Sequence, residues 1–199
     1  MLSVRRVLVL SAVLVTGVLT GCASHNDTTA TESPTPSTST TGEYVPASAD
    51  GPAQNVPKPT KPPKADEESV EGAQAFLDYL SDARAYAQQT GDTSIARELT
   101  AQECESCMEH YKSIDDLYKA GGWASKGRES VTVTSPDLPL DQYGSYAPTV
   151  SVDYEGITIW NKDGEVEREI PPEEFSEEKM SMHISYEDGE WTYLVGAPA

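Results

Sequence analysis

The sequence predicts an α+β fold, N-terminal helices packed on an antiparallel sheet, behind a signal peptide and a disordered stalk. Two observations carry the fold class. Apolar residues recur at helical spacing as far as Gly121-Gly122 and at a spacing of two beyond it. Asp163-Gly164 and Asp188-Gly189 are hairpin turn signals in that second half. Helices first and an antiparallel meander second is the order of an α+β domain.

At the N-terminus, Arg5 and Arg6 precede an apolar run from Val7 to Leu19, the charged and apolar regions of a secretory signal. The run is too short for a membrane span, which needs ~20 apolar residues, and it stops at Gly21. Leu19-Thr20-Gly21-Cys22 resembles the lipobox of bacterial lipoproteins. The resemblance implies cleavage between Gly21 and Cys22, so that residues 1–21 are the signal peptide, and a diacylglyceryl group on the Cys22 sulfur. Two or three acyl chains hold a protein stably where one does so only marginally. The expected location is the extracytoplasmic face of the cell membrane, with the membrane met through the lipid anchor.

Lys and Arg number 14 against 33 Asp and Glu, a formal charge of −19, and loss of Arg5 and Arg6 with the signal makes the chain more acidic still. Binding nucleic acid or anionic headgroups requires clustered cations, so this balance excludes both as partners.

From Cys22 to residue 64 the chain is rich in Ser, Thr and Pro, with too few apolar residues to offset the entropy of ordering, and is expected to be a disordered linker. Residues 65–199 are expected to form a single domain, long enough for one core. Acidic residues from Asp66 open a helix whose positions Val70, Ala73, Leu77, Leu80 and Ala87 share a face. Phe76, Tyr79, Ala83 and Tyr86 widen that stripe to the breadth of a helix cradled against a sheet. Thr90-Gly91-Asp92 stops it, and a short helix through Ile95 and Leu99 follows. Thr100-Ala101-Gln102-Glu103 has the form of a capping box, placing the start of a third helix at Thr100. Its apolar positions Cys104, Cys107, Met108, Tyr111, Ile114 and Tyr118 run to Gly121-Gly122. The strands then pass through Val131 and Val133; through Val150, Val152 and Tyr154; through Ile157 and Ile159 beyond a bulge at Gly156; and through the hairpin from Met180 to Val195.

Three helices followed by such a meander resemble the cystatin-like, nuclear-transport-factor-like cone, in which the first helix lies in the concavity of a curved antiparallel sheet. GPAQNVPKP at 51–59, EGAQAFLDYL at 71–80, TGDTSIARELT at 90–100, CESC at 104–107 and AGGW at 120–123 are similar to a family of actinobacterial lipoproteins built on domain of unknown function 6318. These pieces cover much of the first half of the domain, and no activity comes with the resemblance.

Cys104 and Cys107 are the two thiols left once Cys22 is lipidated, an even number in an oxidising compartment. At i and i+3 of a helix their Cα atoms stand ~5 Å apart, the reach of a disulfide. Redox catalysis is the sharper alternative, but Glu103, Glu105 and Glu109 would raise a thiolate pKa. His110 continues the same face and would complete a metal trio, without the fourth ligand that structural zinc sites use. Otherwise it is a surface histidine. His183 alternates with the apolar positions around it and is placed on the wet face, as is Asp153, which leaves no catalytic base. Glu173-Glu174 and Glu177-Glu178 read as a solvated loop or a short helical turn between strands, lacking the alternating ligands of a calcium loop. Tyr79, Tyr118, Trp123 and Tyr154 are the candidate lining of an apolar pocket.

No metal and no cofactor are expected. The leading expectation is a non-catalytic envelope lipoprotein whose domain binds an envelope protein or a small hydrophobic ligand. The alternative is a cone-fold hydrolase or isomerase with a carboxylate buried in the concavity. A substrate-capture protein would need two lobes, and this chain has one.

Overall fold

The computed structural model describes residues 42–174 and 180–198. The signal peptide, the lipobox and Glu177-Glu178 lie outside the described residues. The first helix, α1 (Val70–Thr90), is capped by Ser69, whose hydroxyl accepts from the Gly72 amide at 3.0 Å, and is closed by Gly91 at a left-handed φ of 76°. A side chain at position 72 has no room, because a Cβ there would stand 1.9 Å from the Glu67 carbonyl oxygen.

The broad apolar arc of α1 serves two partners. Phe76, Leu77 and Leu80 are buried among Val131, Val150, Val152, Met182, Ile184 and Trp191 of the strands. Ala83 and Ala87 pack on Ile95, Ala96, Tyr111 and Ile114 of the next two helices, α2 (Ser94–Glu98) and α3 (Glu105–Lys119). The small alanines let those helices approach closely.

The third helix does not start at Thr100. Cys104 occupies its N-cap position, and Thr100 is buried, at 3% exposure, beneath it. The reason lies in the sheet: the Ala101 amide donates to the Tyr193 carbonyl (2.8 Å) and the Tyr193 amide to the Leu99 carbonyl (2.9 Å). Residues 99–101 thus run beside a strand, and a capping turn cannot form there.

Among the described residues eight strands follow: β1 (Trp123–Lys126), β2 (Glu129–Val133), β3 (Thr149–Tyr154), β4 (Ile157–Trp160), β5 (Val166–Ile170), β6 (Glu173–Glu174), β7 (Met180–Glu187) and β8 (Glu190–Pro198). The molecule is mixed α+β, and the meander divides between two antiparallel sheets. One has the order β2-β3-β7-β8, with the short β6 also on β3, and the other the order β1-β4-β5. Gly156 is the point of division rather than a bulge. It takes a φ of 81°, and a Cβ there would come within 2.8 Å of the Ile170 carbonyl oxygen, so a glycine lets the chain leave β3 for β4. Asp188 and Gly189, at φ 53° and 87°, close the β7–β8 hairpin with the two left-handed residues of a type I′ turn. Glu173-Glu174, expected in a loop, forms β6 and pairs with Asp153 and Tyr154.

The linker expectation also needs correction. Residues 42–64 belong to the domain. Val45 and Gln54 pair in a small antiparallel bridge, Tyr44 donates to Gln89 on α1 (2.7 Å), and the Trp123 indole donates to the Ser48 carbonyl (2.8 Å). Pro63–Asp66 then makes a 3₁₀ turn into α1. The composition rule counts only what a segment can bury by itself. This strap is ordered by side chains of other elements.

Candidate functional site

Between α1, α3 and the ends of the two sheets lies a cavity of about 320 Å³. Its apolar walls are Val152, Tyr154 and Ile170, and the Cys107 half of a disulfide closes the α3 side. Its polar groups are Arg84 and Gln88 from α1, His110 and Tyr111 from α3, Glu129 from β2 and Glu173 from β6. A further hollow of about 490 Å³ shares Gln88, His110, Tyr154 and Ile170 and continues along Ile114, Leu117, Ile157 and Ile159.

Arg84 sits among the core positions of α1, its side chain 17% exposed. Its guanidinium lies over the Tyr193 ring, 4.4 Å from the centroid, a cation–π contact. Nε donates to the Tyr111 hydroxyl at 3.2 Å, and Nη1 stands 3.4 Å from Glu129 Oε2. Desolvation works against the charge on Arg84, but Tyr111, Glu129 and Tyr193 outweigh it and hold the guanidinium pKa above its usual value. The Tyr111 hydroxyl is in turn 2.9 Å from Thr100 Oγ1, which is 2.8 Å from the Ala96 carbonyl. A carbonyl only accepts, so the Thr100 proton goes to Ala96, Tyr111 donates to Thr100, and Arg84 donates to Tyr111. This buried chain fixes the guanidinium in place.

His110 stands at the cavity with its Nε2 3.1 Å from the Gln88 amide nitrogen. Desolvation, helped by the charge of Arg84, lowers its pKa below the usual 6.5. The neutral ring so favoured accepts from the Gln88 amide.

Cys104 and Cys107 form a disulfide, with Cα atoms 5.2 Å apart. Bonded to each other, they offer no thiolates for the metal trio with His110. Among the described residues no three His, Cys, Asp or Glu side chains are placed to hold a metal ion.

Of the four aromatic residues expected to line a pocket, Tyr154 lines both of the hollows described above, and Tyr79, Tyr118 and Trp123 line neither. Tyr79 packs against the helical core cluster. Tyr118 donates to the Gln88 carbonyl at 2.8 Å, and burial pushes its hydroxyl up to about 12. Trp123 stacks on Trp160, ring centroids 6.3 Å apart, and holds the strap. These three are large residues spent on packing. Asp153 is exposed, as its alternation indicates. His183 is not simply wet: its Nδ1 is 2.9 Å from Asp141 Oδ2, with side chains 25% and 15% exposed. Desolvation raises the Asp141 pKa, but the Ser145 amide, His183 and the Tyr143 amide outweigh it and hold the carboxyl below its ordinary range.

Arg84 was missed by sequence reasoning, though a signal for it exists. It falls four residues after Leu80 and seven after Leu77, on the buried stripe of an otherwise apolar helix. A cation at a core position needs partners to be tolerated.

Fold and cavity together define a small mixed α+β domain with one long helix set against antiparallel strands and a hollow at its edge. The chain belongs to DUF6318, a family of unknown function, whose model matches residues 42–196. That match begins where the strap begins. Among solved structures, the intermembrane-space region of the chloroplast protein ARC6 is similar at 7% identity, with a TM-score of 0.48, over 66% of this chain and 97% of that one. No curated protein matches the sequence significantly. No helix of the described residues is long and apolar enough to cross a membrane.

Proposed function

We propose that the chain is an exported lipoprotein, cut before Cys22 and anchored by lipid on that cysteine at the extracytoplasmic face of the cell membrane. Its domain is a non-catalytic binding module that takes a small hydrophobic molecule. The cavity carries this reading: about 320 Å³, at the lower end of the size of small-molecule sites, with Val152, Tyr154 and Ile170 as apolar walls and polar groups converging on it from α1, α3 and β2. The support for the anchor is the Leu19-Thr20-Gly21-Cys22 run behind an export signal.

Native mass spectrometry of the full chain from membranes tests both parts. The expected species begins at a diacylglyceryl-modified Cys22 and retains a small apolar molecule. An unmodified Cys22 sinks the anchor, and an empty protein that captures an envelope protein instead moves the activity from the cavity to the surface.

A hydrolase or isomerase is the second reading, with Glu129 as its carboxylate at the cavity. That carboxylate already faces Arg84 Nη1 at 3.4 Å, a contact a catalytic base would have to give up. Turnover abolished by Glu129→Gln would favour the enzyme.

A further inference from the structure

The polar floor of the cavity narrows the class of ligand. A neutral hydrocarbon would leave the guanidinium of Arg84 desolvated without return, and burial of a charge is tolerated only where partners meet it. Its present partners are incomplete. Five N–H groups are available on a guanidinium. Nε is used by Tyr111, Nη1 meets Glu129 only at 3.4 Å, and Tyr193 draws on the guanidinium as well without filling its five N–H groups. A charge-assisted bond prefers ~2.7–2.9 Å, so the Glu129 contact is slack. Glu129 itself, with a side chain 39% exposed, has water to turn to.

We propose, building on the cavity reading above, that the ligand is a monocarboxylate with an apolar body, its carboxylate received by the Nη1–Nη2 edge of Arg84 and its body lying against Val152, Tyr154 and Ile170. A guanidinium edge matches a carboxylate with two parallel hydrogen bonds. The Tyr193 ring beneath it and the chain through Tyr111 and Thr100 to the Ala96 carbonyl orient that edge before anything binds. Dianionic groups are disfavoured, since among the described residues Arg84 is the one arginine or lysine lining this cavity while Glu129 and Glu173 stand at it too. Cationic ligands would face the fixed positive charge of Arg84 at close range. Acyl-chain and aryl carboxylates share this chemistry.

Calorimetric titration of the full chain in lipid nanodiscs, with empty nanodiscs subtracted, tests the assignment using octanoate, phenylpropionate, octanol and octylamine. One or both carboxylates bind about tenfold or more tightly than octanol, as a charged hydrogen-bond pair in a desolvated site requires. The tighter of octanoate and phenylpropionate identifies an acyl or an aryl body. Arg84→Gln reduces the carboxylate to the octanol level. Glu129→Gln removes the competing acid and tightens the carboxylate about threefold relative to octanol. Should Arg84→Gln fail to fold, Glu129→Gln decides alone, because it leaves the seat of Arg84 intact. Octanol or octylamine binding as tightly as the carboxylates overturns the carboxylate assignment and leaves the hydrophobic cavity standing. Absence of binding by all four overturns both.

Discussion

Thr100 and Arg84 illustrate how a residue is read differently by local and by long-range structure. The pattern Thr-x-x-Glu at 100–103 satisfies a local rule for a helix start, but Thr100 is buried with its hydroxyl bonded to Ala96 and Tyr111. It ends the hydrogen-bond chain that holds the guanidinium of Arg84. Thr100→Val keeps the shape and removes the acceptor for the Tyr111 proton, leaving a buried donor unsatisfied. The expected cost is about 2 kcal/mol of unfolding free energy, the magnitude of an orphaned buried polar group. Urea unfolding measures it. A midpoint unchanged from the parent would mean that Tyr111 finds another acceptor and that the chain does not brace Arg84. Neither Thr100 nor Arg84 could be placed from sequence, because both depend on which strand passes alongside, and β8 begins 90 residues beyond Thr100 in the chain.

The three helices, their stops at Gly91 and Gly121-Gly122, the strands carrying Val131, Val150 and Ile157, and the Asp188-Gly189 hairpin were all legible, since periodicity and turn chemistry are local properties. Less legible were β1, whose four residues are too short to show a period, and β5, whose sequence VEREI presents a mainly exposed strand with little alternation. The strap at 42–64 was misread for the opposite reason, being held by Trp123 and α1 rather than by its own apolar content. In the site, the Cys104–Cys107 bridge and Tyr154 were legible, and the polar floor was not. The bridge closes the first turn of α3, where Cys104 is the N-cap. Its short loop gives about 2 kcal/mol on the chain-entropy account. The double replacement Cys104→Ser with Cys107→Ser is therefore expected to lower stability by about that amount and to speed amide exchange in the first turn of α3. Unchanged exchange there would show that the sheet contacts of residues 99–101, rather than the disulfide, set the helix start.

At the scale of the whole molecule, a chain of formal charge −19 resists acid through a few groups rather than through its many exposed carboxylates. His110 is the first to respond. Desolvation and Arg84 lower its folded pKa, with Glu129 opposing them, and Gln88 from α1 and Tyr154 from β3 line the same cavity. Because the folded state binds this proton less readily than the unfolded chain, stability is complete above the ordinary value of 6.5 and declines as pH falls through it toward the folded pKa. A second decline follows below 3.8. There Asp92, held low by the hydroxyl and amide of Ser94, and Asp141, held low against desolvation by the Ser145 amide and His183, lose their advantage in the folded state. Both steps have the same sign, and the buried Tyr118 hydroxyl, raised from 10.0 to about 12, works the opposite way in alkali, so the domain is expected to be most stable from neutral pH to about 10. Urea midpoints between about pH 8 and pH 5 resolve the first step. His110→Gln keeps a polar side chain beside Gln88 and removes the titration, and its midpoint should stay level across that window while the parent falls. If the variant falls in parallel with the parent, the acid response belongs to the carboxylates, and the neutral ring at the mouth of the cavity contributes nothing to the fold.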